Sequence, residues 1–94
     1  PKYRAALDEK ATKLLTLKPR WTDDYANRVI FFRDVFPYAA HELEAKILSS
    51  LRADELELRA WQQAAGCWGF EKTTDCDPAP TALAITALSA LGFD

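Results

Sequence analysis

The chain has little of what most reactive sites are built from. One histidine, two cysteines and three glycines are all that 94 residues contain. The glycines stand at 66, 69 and 92, so there is no glycine-rich loop to cradle a phosphate. His41 has no second histidine four residues on and no cysteine nearby in sequence, and His-Glu-Leu-Glu therefore lacks the spacing of a zinc helix. No serine is flanked by the glycines of a nucleophile elbow. No apolar run approaches the ~20 residues of a membrane span. No signal-peptide pattern opens the chain, which starts at Pro1 without a methionine, either because the initiator was removed or because it is a piece of something longer. No stretch alternates with the two-residue period of a strand. These gaps predict no catalytic constellation, no metal, no cofactor and no membrane partner.

What is present is ordinary globular material. Apolar residues make up 49% of the chain and charged residues 28%. That suits one domain over residues 1–94, with a single core and no deep chamber. The net charge of −2 makes nucleic acid a poor partner. The charge is uneven, however: residues 1–33 balance to +4 and residues 34–94 to −6. Two halves that complement each other inside one fold, or a dipolar surface that steers a partner, both fit this split. The basic first third, with Lys10, Lys13 and Lys18, is the only feature that points toward phosphates, and the acidic remainder opposes it.

Apolar residues recur at helical steps throughout. Tyr3, Leu7, Ala11, Leu14 and Leu15 share one face of a first helix that Pro19 stops. Thr22 is the expected N-cap of a second, with Asp23 and Asp24 in its first turn. Tyr25, Val29, Phe32 and Phe36 form its stripe, and it is apolar enough to sit at the centre of the core. Pro37 interrupts. A third helix is predicted over Tyr38–Leu51, with Ala40, Leu43, Ile47 and Leu51 inward. A fourth is signalled by Asp54-Glu55-Leu56-Glu57, which resembles a capping box, and is closed by Gly66. A fifth follows Pro80, rich in alanine, with Gly92 as its terminator and Phe93 folding back on Leu88. The expected fold is all-α: a compact bundle of about five helices with one irregular loop at 66–79.

That loop, GCWGFEKTTDCDP, holds both cysteines. Cys67 and Cys76 admit reduced structural thiols, a disulfide closing a short loop, or a metal; with no secretory signal, reduced thiols in a cytoplasm are the expectation. Asp75 and Asp77 either feed the start of the last helix or join a site. Trp68 either caps the core or presents an anchor to a partner.

Gln62, Gly66 and Trp68 in QQAAGCWGF, followed by TALAITALSALG, resemble the glutamine–tryptophan repeat of triterpene cyclases and prenyltransferase-type α/α toroids over residues 59–92. The resemblance implies a glutamine at a helix end with the tryptophan stacked on it in the next loop. It further implies that Asp77, in DCDP, matches the middle acid of the cyclase proton-donor motif, and that a chain this short is a fragment or relic repeat of such a toroid.

The function expected from the residues themselves is that of a small helical interaction module, a regulator, adaptor or subunit, that binds another protein and has no catalytic activity. Its surface would combine Trp68 and Phe70 with Glu71, Asp75 and Asp77, aromatics giving buried area and acids setting the partner's charge. A homodimer is compatible with this.

Overall fold

The structure is a computed structural model that describes residues 2–92. Among the described residues it is helical, with no strand and with four α-helices in place of five. The contact expected between Phe93 and Leu88 lies outside the described residues.

Helix α1 spans Lys2–Thr16. Ala11 is buried, and Leu7, Leu14 and Leu15 pack partly against the core, as their spacing requires. Tyr3, at the start of the same stripe, is 76% exposed. Helix α2, Thr22–Val35, is the central element that its composition predicts: Ala26, Val29 and Phe32 lose all solvent contact. Its cap differs from the expectation. Trp21 holds the N-cap position without a side-chain bond, while Thr22 turns its hydroxyl onto the Gly69 carbonyl at 2.6 Å. Pro37 ends α2 in a short 3-10 turn, Phe36–Tyr38.

The predicted third and fourth helices are one. Helix α3 runs unbroken from His41 to Trp61. Between Leu51 and Leu58 there is no glycine or proline to stop it, and the buried positions Ile47, Leu51, Asp54 and Leu58 follow one another at steps of four, three and four. The acids at 54–57 therefore lie on a continuing helix and do not begin a new one. Helix α3 then ends five residues before Gly66.

Helix α4, Pro78–Ala90, starts at a proline in its first turn, where the missing N–H costs nothing. Asp77 caps it by accepting from the Ala79 N–H at 2.9 Å. Ala84 and Ala87 are wholly buried, and such small side chains let α4 approach α2 closely. Helix α2 is thus sandwiched between α3 and α4, with α1 laid more lightly against α3 and α2. The molecule measures 44 × 24 × 20 Å.

Candidate functional site: the Trp68 loop

The segment between α3 and α4 has no regular structure, yet its polar groups are well satisfied. It begins with a turn in which the Gly66 N–H donates to the Gln63 carbonyl and the Gln63 N–H to the Cys67 carbonyl, both at 2.8 Å. Gln62, immediately after α3, donates its side-chain amide to the Gly66 carbonyl at 3.1 Å. The chain then dives inward at Trp68, which is 1% exposed. Its indole N–H donates to the Leu58 carbonyl at 2.7 Å, one of the last four carbonyls of α3 that the helix itself leaves without a partner. The Trp68 N–H donates to the Thr81 hydroxyl at 2.9 Å, and its carbonyl accepts from that hydroxyl and from the Asp77 N–H. One buried tryptophan thereby joins the end of α3 to the start of α4.

The next residues fasten the loop to α2. Thr22 donates its N–H to the Phe70 carbonyl at 2.7 Å, beside its hydroxyl bond to Gly69. Gln63 reaches across to the Thr74 carbonyl at 2.7 Å. Gly69 is required by close approach: a Cβ there would stand 2.6 Å from the Asp75 carbonyl oxygen and collide with the carbonyl and hydroxyl oxygens of Thr74. Cys67 and Cys76 close the neck as a disulfide, their Cα atoms 5.7 Å apart. This corrects the expectation of reduced thiols. Nine residues of separation do not reveal proximity; the doubling-back of the loop around Gly69 produces it.

The five expected surface residues are distributed unequally. Trp68 belongs to the core, so its reading as an exposed anchor is corrected. Phe70 is 41% exposed. Glu71 is half-buried and pairs with Arg20 Nε at 3.0 Å. Asp75 is exposed, and Asp77 is occupied as the α4 cap. Two neighbours from the segment between α1 and α2, Arg20 and Trp21, join them. Trp21 is 41% exposed, and the Arg20 guanidinium lies over its ring, 4.9 Å from the centroid. The Thr22–Phe70 bond draws the two segments together, so Arg20, Trp21, Phe70 and Glu71 form one patch.

A second polar feature lies inside the bundle. Arg28 is 8% exposed and Asp54 1% exposed. The guanidinium donates to both carboxylate oxygens, at 2.6 and 2.7 Å. Its remaining arm donates to the Leu14 and Leu17 carbonyls at 2.9 and 2.8 Å, ending α1. The hydrogen bond to Asp54 holds the Arg28 pKa above its ordinary value. Burial pushes the Asp54 carboxyl up, against the opposing pull of the Arg28 hydrogen bond and charge. Burial also raises the nearby Tyr25 phenol, with help from the charges of Glu57 and Asp54. Arg28 and Asp54 are engaged with each other and with backbone, an arrangement that ties α1, α2 and α3 together. The signal for it was in the sequence: Asp54 falls on the apolar stripe of α3, and Arg28 lies between Tyr25 and Phe32 on α2.

Among the described residues, no group of three or more His, Cys, Asp and Glu side chains is placed to hold a metal ion. No described helix is long and apolar enough to cross a membrane. Compared with known proteins, the chain matches no family model, no curated protein and no solved structure.

Proposed function

We propose that the chain is a helical interaction module that docks another protein through the patch of Arg20, Trp21, Phe70 and Glu71, with Asp75 at its edge. The observation that carries this is the rigidity of the loop beneath the two exposed aromatics. The core-buried Trp68, the disulfide and the Thr22 bonds fix the backbone of Phe70, so little ordering entropy is lost when a partner covers it. Tryptophan and arginine are also the residue types that dominate binding energy at interfaces. The disulfide favours an oxidising compartment over a cytoplasm.

The test compares the wild-type chain with Trp21→Ala and Phe70→Ala as baits in lysate of the source cells. A specific protein retained by the wild type should bind each variant more weakly by at least about 1 kcal/mol, with helicity unchanged. Equal retention by all three would remove this surface.

A second reading, a relic repeat of a cyclase-type toroid, is supported by Gln62. It stands at the end of α3 and bonds Gly66, and the loop that follows carries a buried tryptophan. Thermal stabilisation by a prenyl diphosphate would favour this reading, and none at high concentration would dismiss it.

A further inference from the structure

Helix α1 is fastened by polar bonds in both halves and seated loosely between them. Among its described side chains only Ala11 is buried; Leu7, Leu14 and Leu15 are half-buried, and Leu17, just past its end, is exposed. A groove follows each flank. On the α3 side it holds about 640 Å³, between Leu15 and Thr16 and, across from them, Leu43, Lys46 and Ser50. On the α2 side it holds about 180 Å³, between Leu14 and Leu17 and, across from them, Asn27 and Phe31. Helices that interdigitate leave few gaps, so grooves on both flanks mean that α1 rests on its neighbours along one narrow strip.

We infer that α1 is a releasable strap, which opens as one unit from a body of α2, α3 and α4 that stays folded. Opening as a unit, and not by fraying, follows from where the polar bonds lie. In the first half, Asp8 accepts from the Ala40 N–H at 3.2 Å and Arg4 donates to the Ala39 carbonyl at 3.5 Å. In the second half, Arg28 donates to the Leu14 and Leu17 carbonyls. Neither half can peel while its own bonds hold, and the weak strip between them cannot hold the helix once they part. Released, α1 has only fifteen residues, at the margin of what stays helical alone.

The body does not need the strap. Val29, Phe32, Ile47, Leu58 and Trp68 are buried among α2, α3, α4 and the Trp68 loop, and the disulfide closes within that part. Arg28 of α2 stays gripped by Asp54 of α3, so its donors keep their place for α1 to close on again. The linker at 17–21 has no helix and contains Pro19, and the start of α2 is pinned separately by the Thr22–Phe70 bond. Segments with few buried apolar contacts open at much lower free energy than the whole molecule unfolds. Opening uncovers Leu43 and also Phe31, whose ring centroid now lies 5.3 Å from the Lys10 ammonium. It also frees the Arg28 donors beside them. The strap thereby hides an apolar seam that ends in a ready cap for helix carbonyls.

The inference does not depend on the Trp68-loop reading. Native-state amide hydrogen exchange of the intact, oxidised chain, read residue by residue by NMR, tests it. Corrected for intrinsic rates, the amides of residues 6–16 should exchange about a hundredfold or more faster than those of residues 26–32 and 47–58, and with one common protection factor. Leu14→Ala removes packing and keeps helix propensity, so it reports seating alone. It should speed exchange across residues 6–16 by about a further tenfold and leave residues 47–58 unchanged. Leu15→Ala should act in the same way, which gives a second reading if the first variant does not fold. Equal protection of α1 and α2 would overturn the inference. So would acceleration of both segments alike in the variants, which makes the opening global, or protection that fades step by step from one end of α1, which makes it fraying.

Discussion

Asp54 shows how a single residue can be read correctly in pattern and wrongly in role. Its position four residues before Leu58 and three after Leu51 marks it as inward-facing, yet an acid followed three residues later by glutamate also resembles a helix start. Only the partner decides, and Arg28 lies 26 residues away in sequence. A buried ion pair adds little over well-packed apolar side chains, but removing one partner strands the other charge. Asp54→Ala is therefore expected to cost about 3–5 kcal/mol in urea unfolding. Pairing it with Arg28→Met should recover only part of that loss, since the Leu14 and Leu17 carbonyls lose their donor as well. A loss below about 1 kcal/mol for Asp54→Ala would mean that the pair is solvated in solution. Trp68 was ambiguous for a similar reason: a loop tryptophan beside two glycines is either anchor or plug. The carbonyl that its indole satisfies belongs to α3, ten residues upstream.

Among the helices, the faces were legible and one boundary was not. The steps of three and four through Val29, Phe32, Leu43, Ile47 and Leu51 identify buried stripes that the structure retains. Pro19 and Pro37 end helices by removing an N–H and clashing with the preceding turn, an effect visible in sequence alone. The join at residues 52–53 was hidden because a capping signal is weak evidence when neither glycine nor proline accompanies it. Ala53 is exposed, so Ala53→Pro tests continuity with little change in packing. In an unbroken α3 it should destabilise by about 3 kcal/mol and lower the helical circular dichroism signal. A variant as stable as the parent would restore the two-helix description.

Taken whole, the molecule is tied unevenly. Helices α2, α3 and α4 share the core and the Trp68 loop, whereas α1 is held chiefly by Ala11, a few half-buried leucines and the Arg28 bonds to its final carbonyls. The disulfide reinforces the half that is already better packed. Because it closes a nine-residue separation, its reduction should lower stability by about 2–3 kcal/mol, read as a drop in the urea midpoint on adding dithiothreitol with the slope unchanged. Identical midpoints would show that the loop's hydrogen bonds suffice without it. The pairing itself was out of reach of the sequence, because a separation of nine residues says nothing of how the loop doubles back. The bridge has one more effect, on cleavage. Lys72 is exposed within the ring that Cys67 and Cys76 close, so trypsin cutting after it yields a nicked chain that still migrates as one species until a reductant frees its two pieces.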